Sequence, residues 1–215
     1  EPLMAMDTVK RTVEYARSLE KEHNKVFRFT ITTNGVLLND ETIEYINREM
    51  SNVVLSLDGR QPVNDRMRPT VNGKGSYEVI VPKFQKLVAG RGTKDYYVRG
   101  TFTRDNLDFS QDVLHMGDLG FRHVSVEPAS GPLDDPFAIK EEDLEKVEAE
   151  YEKLAGQLME RPDINFFHFN VDLAQGPCVI KRLRGCGAGC EYVAITPDGD
   201  IYPCHQFVGK EEYRM

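Results

Sequence analysis

The alternation of apolar and polar positions predicts that helices and strands follow one another along most of the chain. Apolar residues recur at helical spacing from residue 7 to about 22, behind an Asp cap, and β-branched and aromatic residues fill 26–33. A helix that starts at Asn39-Asp40 and a short apolar strand over 53–57 repeat this pair. The repeat indicates strand–helix units.

The same pattern continues to residue 169. A polar loop is expected over 60–75, helices over 77–89, 109–119 and 140–159, and strands over 96–103, 123–126 and 165–169. Strands that alternate with helices of this length indicate a parallel sheet, because the helix carries the chain back to the start of the next strand. We therefore predict an α/β fold, built as an open or closed (β/α) barrel.

Polar side chains stand at the carboxyl end of four successive predicted strands. They are Thr33 and Asn34, Ser56 and Asp58, Thr103 and Arg104, and Glu127. Taken singly, each is more often a helix cap or a turn residue. In a (β/α) barrel, however, the carboxyl ends of the strands form the rim that carries the site. Their recurrence favours a binding site at this rim.

Composition and charge narrow the class of protein. The chain has 215 residues, 40% of them apolar, and a formal net charge of −8, with acidic residues dense between 140 and 160. This charge opposes sequence-independent binding to a phosphate backbone, so nucleic acid is not expected as a partner. The sequence shows no membrane-length apolar run and no signal peptide, and we expect a cytoplasmic protein without a membrane partner.

Three of the four cysteines lie close together near the end of the sequence. Cys186, Cys190 and Cys204 fall within nineteen residues. A strand is predicted over 192–195, and the Asp-Gly pair in 197–200 predicts a hairpin turn. The turn would fold Cys204 back towards Cys190, which is the arrangement that a thiolate site for a metal requires.

Three interpretations of these cysteines compete. Disulfides are disfavoured, since four cysteines in 215 residues are few for a secreted domain that is stabilised by disulfide bonds. A tetrahedral zinc site is open to Cys186, Cys190 and Cys204, with His205 or Cys178 as the fourth ligand. An iron–sulfur cluster would use the same thiolates. Their spacing alone does not decide between zinc and iron–sulfur.

Several stretches resemble the motifs of one enzyme family. Glu1-Pro2 is similar to the end of a Gly-Gly-Glu-Pro motif, and Thr32-Thr33-Asn34-Gly35 is similar to a strand-end motif. A third motif is formed by Ser56-Leu57-Asp58-Gly59 with Asn64-Asp65-Arg66 and Gly73-Lys74-Gly75-Ser76-Tyr77. The fourth is formed by Cys186, Gly199 and Cys204 in the spacing Cys-x12-Gly-x4-Cys. The family is the radical S-adenosylmethionine (radical SAM) enzymes with a SPASM extension, and the resemblance covers essentially all of the chain. Residues 99–104 and 186–215 are most similar to the maturases of SCIFF peptides, cysteine-rich precursors that receive thioether bonds.

The resemblance implies a domain arrangement. Residues 1–170 would be a partial (β/α)6 radical SAM barrel, 171–185 a connection, and 186–215 the first part of a SPASM iron–sulfur domain. The radical-generating Cys-x3-Cys-x2-Cys motif and the later SPASM cysteines do not occur in the sequence. We therefore expect this chain to be the middle of a longer enzyme.

The resemblance also assigns residues to S-adenosylmethionine (AdoMet), whose ammonium, carboxylate, ribose diol and adenine each need a partner. Eight residues are assigned to the cofactor: Glu1, Thr33, Asn34, Ser56, Asp58, Arg68, Arg99 and Glu127. Glu1 would hold the ammonium, while Ser56 and Asp58 would hold the ribose hydroxyls. Arg99 would clamp the carboxylate in bidentate geometry, with Arg68 in reserve. The strand that ends at Glu127 would place an apolar wall beside the adenine.

For the cysteines, the resemblance implies a 4Fe–4S auxiliary cluster on Cys186, Cys190 and Cys204, in addition to the radical SAM cluster on the missing part. Three protein ligands would leave one iron open to a substrate thiolate, which the metal would keep deprotonated. Cys178 is either a fourth ligand or a buried apolar residue, and His205 is expected to be a surface or hydrogen-bonded residue.

The function implied is a radical SAM peptide maturase that installs thioether cross-links in a cysteine-rich precursor, with an external electron donor. The sequence assigns no catalytic residue. Two alternatives stay open: another SPASM enzyme, such as a sulfatase-maturing oxidase, and a non-catalytic, zinc-stapled (β/α) binding module.

Overall fold

A computed structural model describes residues 1–132, 134–171 and 185–215 of the chain. These residues form two compact units, Glu1–Asn170 and Val171–Met215. Cys178 and most of the predicted connection over 171–185 lie outside the described residues.

The first unit alternates strands and helices as the sequence predicted. Its helices are α1 (Met6–His23), α2 (Asp40–Glu49), α3 (Gln61–Met67), α4 (Tyr77–Ala89), α5 (Ser110–Asp118) and α6 (Leu144–Met159). Its strands are β1 (Thr30–Thr33), β2 (Asn52–Ser56), β3 (Tyr97–Phe102), β4 (His123–Pro128) and β5 (Asn165–Phe166). All neighbouring strands pair in parallel, in the order β1-β2-β3-β4-β5. The predicted α/β fold with a parallel sheet is confirmed, and α2, α4, α5 and α6 each lead the chain to the strand adjacent to the previous one.

Helix α2 begins at the predicted Asn39 cap. The Asn39 side chain accepts a hydrogen bond from the Thr42 backbone N–H (2.9 Å), and the Thr42 hydroxyl accepts one from the Asn39 N–H (2.9 Å). This reciprocal capping box satisfies two donors that the start of a helix leaves free.

The structure differs from the predicted elements in four places. The strand predicted over 26–33 is confined to Thr30–Thr33, and the strand predicted over 192–195 to Ala194–Ile195. The stretch 60–75, expected to be a loop, contains α3, whose first turn holds Pro62. Proline suits this position because its φ is preset for a helix and its missing N–H would have had no partner. At the other end of the sheet, residues 167–169 form a 3-10 turn instead of continuing β5.

The two faces of the sheet differ in character because successive side chains of a strand point to opposite sides. On one face, Val53, Leu55, Val98, Val124 and Val126 are buried in the hydrophobic core with residues of the helices. We call the other face the polar face; it carries Ser56, Arg99, Thr101, Ser125 and Glu127 at the alternate positions. A Cβ built on Gly100 would lie 3.2 Å from Met116 of α5, so Gly100 faces the helices. Arg99, the preceding residue of the strand, therefore points to the polar face.

The second unit contains an antiparallel hairpin of β6 (Ala194–Ile195) and β7 (Ile201–Tyr202). The Gly199 N–H donates to the Thr196 carbonyl (3.0 Å), and the Thr196 N–H donates to the Asp200 carbonyl (2.9 Å). Gly199 has a φ of +89°, a conformation that glycine adopts without strain. The predicted hairpin with its Asp-Gly turn is confirmed.

Across the described ranges, no helix is both long enough and apolar enough to cross a membrane.

Candidate functional site

The carboxyl end of β1 brings three of the predicted cofactor residues together. The Glu1 carboxylate accepts hydrogen bonds from the Thr33 hydroxyl (2.8 Å) and from the Asn34 backbone N–H (2.7 Å). The Thr33 hydroxyl is buried and accepts in turn from the Gly35 N–H (3.0 Å). Glu1 is therefore fixed at the rim, and its oxygens keep further lone pairs for a ligand.

Asp58 and Arg68 pair with each other. Arg68 donates to both Asp58 oxygens, through Nε (2.8 Å) and Nη2 (2.8 Å), and the Thr101 N–H donates to one of them (3.0 Å). Asp58 is only 2% exposed. The sequence assigned the two side chains to different parts of the cofactor, whereas the structure joins them in a bidentate ion pair that ties the loop after β2 to β3. Their contact with a cofactor stays a prediction.

The motif residues after Asp58 build this loop. The buried Asn64 side chain donates to the Ser76 hydroxyl (3.1 Å), which donates to the Arg68 carbonyl (2.6 Å). The Asp65 carboxylate accepts from the Tyr77 N–H (2.8 Å) and so holds the start of α4. These residues position Arg68 beside Asp58, and this accounts for the motif in structural terms.

On the polar face, Arg99 forms a bidentate ion pair with Glu127. Arg99 Nε donates to one carboxylate oxygen (3.1 Å), and Nη2 donates to the other. The Arg99 hydrogen bond, together with its charge, lowers the pKa of Glu127. Ser56 lies beside Arg99 in the strand register. Three predicted cofactor residues therefore share one face, at the positions expected from the alternation of the strands.

A small cavity opens beside this pair. Its volume is about 140 Å³, and it is lined by Val54, Tyr97, Arg99, Ser125, Glu127 and Phe167. A guanidinium and a carboxylate next to apolar and aromatic surface offer a zwitterionic ligand one partner for each of its charges.

Sequence reasoning missed two polar residues of this region. The Ser125 hydroxyl lies 3.4 Å from a Glu127 oxygen and 3.5 Å from His168 Nε2. The signal for Ser125 was present, because it precedes Glu127 by two residues and must share its face. His168 follows β5 in the 3-10 turn, and no sequence pattern indicated that it would meet Ser125.

The second unit carries Cys186, Cys190 and Cys204 as free thiols. Cys204 is buried, with 8% exposure, while Cys186 and Cys190 are exposed. Nδ1 of His205 lies 3.5 Å from the Cys204 sulfur. Within the described ranges the cysteines are not paired as disulfides, so their sulfurs are available to a metal.

Tyr192 contacts one of these thiols. Its hydroxyl donates to the Cys186 sulfur (3.7 Å), and this hydrogen bond raises the pKa of Tyr192. The pKa of the Cys186 thiol is lowered, first by the Ala188 backbone N–H and then by Tyr192. A thiol with such donors favours the thiolate, the form that binds metals.

The fit of these residues to a metal centre is partial. Sulfur donors suit zinc and iron–sulfur clusters. In the part of the chain that the structure describes, no three ligating side chains stand close enough to hold a metal ion.

No family model matches the sequence. The cysteine-type anaerobic sulfatase-maturating enzyme of Clostridium novyi is 23% identical over 225 residues, covering 99% of this chain and 58% of that protein. The mycofactocin maturase MftC of Mycolicibacterium smegmatis is 28% identical over 202 residues, covering 89% of this chain and 47% of that protein. The chain spans about half the length of the curated relatives it matches.

Among solved structures, anSMEcpe with bound AdoMet superposes with a TM-score of 0.80 at 16% identity, covering 100% of this chain and 60% of that one. The same protein with AdoMet and the Kp18Cys peptide gives 0.71 at 14% identity, covering 95% of this chain and 59% of that one. The fold is the TIM-like radical SAM fold, as the sequence resemblance implied. The two sequence relatives named above are maturation enzymes, which agrees with the maturation enzyme expected from the sequence.

Proposed function

We propose that the protein is a radical SAM peptide maturase that installs thioether bonds in a cysteine-rich ribosomal precursor. The observation that carries the proposal is the combination, in one chain with the radical SAM fold, of a charged polar face and a hairpin with free thiols. Maturases among the sequence relatives and a peptide-bound structural neighbour support a peptide as the substrate.

In this proposal, AdoMet lies over the polar face at the carboxyl ends of the strands. Glu1, held by Thr33 and Asn34, accepts the ammonium of the cofactor, and Arg99 binds its carboxylate. Ser56 faces the ribose. The Asp58–Arg68 pair holds the loop above β2 in place. When bound, AdoMet and its cluster supply a 5′-deoxyadenosyl radical, and the electron that generates it comes from an external donor.

Cys186, Cys190 and Cys204 would hold the auxiliary 4Fe–4S cluster and, with it, the substrate thiolate. The peptide as a whole loses two hydrogens in forming the thioether. Its carbon would give up a hydrogen atom to the 5′-deoxyadenosyl radical and its thiol would give up a proton, and the auxiliary cluster would be the acceptor of the one electron released as the carbon–sulfur bond forms. The Ala188 backbone N–H and the Tyr192 hydroxyl beside Cys186 lower the pKa of that thiol, which favours the thiolate form.

Removing the guanidinium tests the cofactor assignment. We expect Arg99→Ala in the full-length protein to raise the Kd for AdoMet by about ten- to a hundredfold, because a charge-assisted bidentate contact is worth roughly 1.5–3 kcal/mol. Equilibrium dialysis with labelled AdoMet measures the effect. Arg28→Ala is the matched control, since that side chain is 76% exposed and forms a long ion pair with Asp95 (3.7 Å). Equal affinities in the two variants would rule out Arg99 as the clamp.

A second candidate keeps the enzyme class and changes the substrate. The match to the sulfatase-maturating enzyme over 99% of this chain favours oxidation of a sulfatase cysteine or serine. In that reaction the auxiliary cluster would carry electrons without binding a substrate thiolate.

Mass spectrometry separates the two reactions. After anaerobic incubation of the full-length protein with AdoMet, a reductant and a cysteine-rich precursor, we expect a product that has lost two hydrogens per cross-link and in which the linked cysteine resists thiol alkylation. A sulfatase-derived peptide serves as the competing substrate. If only that peptide changed, and its cysteine lost sulfur, the thioether assignment would be wrong.

Metal analysis separates the proposed enzyme from a binding module without redox chemistry. Iron and sulfide are expected in stoichiometric amounts after anaerobic purification. A colourless protein with stoichiometric zinc would instead identify a zinc-stapled module.

A further inference from the structure

A second cavity opens where the chain leaves β3, at the rim formed by the carboxyl ends of the strands. Its volume is about 190 Å³. One wall belongs to α3, and the other belongs to the stretch directly after β3. The lining includes Pro62, Val63, Arg66, Met67, Thr103 and Asn106. This set shares no member with the residues assigned to AdoMet, so the cavity is separate from the proposed cofactor site.

The cavity lies next to that site. The backbone of Thr103 is extended (φ −126°, ψ 178°), so the alternation of β3 continues past its last residue and puts Thr103 on the side of the sheet that carries Arg99. On the opposite wall, Met67 directly precedes Arg68, which pairs with Asp58. A ligand in the cavity would therefore lie beside the polar face and against the loop after β2.

The buried polar groups of the cavity wall are already bonded to one another. Asn106 Oδ1 accepts from the Thr103 N–H (2.8 Å) and from the Thr103 hydroxyl (3.1 Å), and the Asn106 amide donates to Asp112 (3.2 Å). The Thr103 hydroxyl accepts in turn from the Asp105 N–H (3.2 Å). Because these hydrogen bonds use the polar atoms of Thr103 and Asn106, the wall offers a ligand little hydrogen-bonding capacity.

The charged residues of the cavity are also paired. Arg66 Nη2 lies 2.7 Å from a carboxylate oxygen of Asp105, which also lines the cavity, and the guanidinium lies over the Phe137 ring, 5.8 Å from its centroid. Both members of the ion pair are exposed, so the pair lies at the solvent end of the cavity. A charged ligand would meet a neutralised pair there, whereas α3 offers it mainly apolar surface.

The volume suits one side chain and not a whole small molecule. Sites for drug-sized ligands have volumes of about 300–1,000 Å³, whereas an apolar cavity of about 150 Å³ accommodates benzene. Met67 can adapt its shape to different occupants, because its side chain is unbranched and flexible. The cavity therefore matches an uncharged apolar side chain such as that of leucine, methionine or phenylalanine.

We propose that this cavity binds one uncharged apolar side chain of the substrate peptide and so holds the peptide at the rim beside the polar face. We call the peptide residue that carries this side chain the anchor residue. The inference rests on the proposed function, since it requires a peptide substrate. It deepens that function by adding a second recognition element, an apolar residue, to the residue that is modified.

Filling the cavity tests the inference. In the full-length protein, Val63→Phe adds bulk to the cavity wall, and Val79→Phe is the matched control because it makes the same substitution at a position of α4 that is 43% exposed. Both variants are assayed with the peptide that the wild-type protein modifies, either the cysteine-rich precursor or the sulfatase-derived peptide.

We expect Val63→Phe to raise the KM for the peptide about tenfold, which is the lower end of the loss that follows when one apolar side chain is no longer buried. The kcat at saturating peptide and the Kd for AdoMet should stay at their wild-type values. Damage to the loop after β2 would instead weaken AdoMet binding as well, and equilibrium dialysis measures that affinity.

A panel of peptides identifies the anchor residue. Each apolar residue of the peptide is replaced by alanine in turn, and the KM is measured with the wild-type protein and with Val63→Phe. At the anchor position the two changes remove the same contact, so their free-energy effects should not add, whereas at distant positions they should. Met67→Ala removes bulk from the wall and is the second variant. It should shift the preference of the protein towards a larger anchor residue.

Two results would overturn the inference while the proposed function stands. The first is a peptide KM for Val63→Phe and for Met67→Ala that equals that of Val79→Phe. The second is additivity at every apolar position of the peptide. If the wild-type protein modifies neither peptide, the proposed function fails and the inference fails with it.

Discussion

Cys204→Ala in the full-length protein is expected to abolish thioether formation while AdoMet cleavage without product continues. Cys204 is the buried member of the three thiols, and it follows the β6–β7 hairpin closely. With one of three protein ligands removed, the auxiliary site would no longer bind the peptide thiolate. AdoMet cleavage would persist, because the residues assigned to the cofactor lie on the other unit.

Chromatography of 5′-deoxyadenosine and mass spectrometry of the peptide measure the two reactions in the same sample. Cys204→Ser is the shape-matched variant, and it should fail in the same way because a hydroxyl is a poor substitute for a soft thiolate ligand. Glu212→Ala, an exposed substitution in the same unit, should leave both reactions unchanged. Cross-linked product at the wild-type rate in Cys204→Ala would show that this cysteine does not hold the cluster.

Asp58→Ala is expected to lower the free energy of unfolding by about 2–3 kcal/mol. Removing one partner of a buried ion pair leaves an uncompensated charge, at a cost of roughly 3–5 kcal/mol, and here Arg68 recovers part of that by reaching water. The Arg68 side chain is 32% exposed, whereas that of Asp58 is 3% exposed. The Thr101 N–H would also lose its acceptor.

Urea denaturation followed by circular dichroism gives the comparison. The control is Lys86→Met, which breaks the exposed pair with Asp40 and should cost less than about 1 kcal/mol. A double-mutant cycle with Arg68→Met isolates the coupling between Asp58 and Arg68. If Asp58→Ala cost no more than the control, the pair would not be the anchor of the loop after β2.

The regular elements were predictable because their signals are local. The alternation of side chains along β2, β3 and β4 predicted the strands, and Asn39 and the Asp-Gly turn act through hydrogen bonds to residues three or four positions away. Helix α3 was not predicted, because the residues that form it are mostly polar. It is seven residues long, too short for a helical period to emerge from the surrounding sequence.

The polar side chains of the sheet were predictable as positions and only partly as a set of contacts. The carboxyl ends of the strands indicated Ser56 and Glu127, the family resemblance indicated Arg99, and the structure places all three on the polar face. Their partners were not predictable. Arg99 meets Glu127, twenty-eight positions away, only because β3 and β4 pair in a particular register.

Residue order and spacing alone were sufficient for the α/β class, the parallel sheet and the hairpin, since each follows from patterns within short stretches of the chain. Tertiary structure decided that Asp58 pairs with Arg68, that Arg99 pairs with Glu127 and that Tyr192 bonds to Cys186. These contacts join separate segments whose approach depends on strand register and loop packing, and a linear pattern of residues does not contain that information.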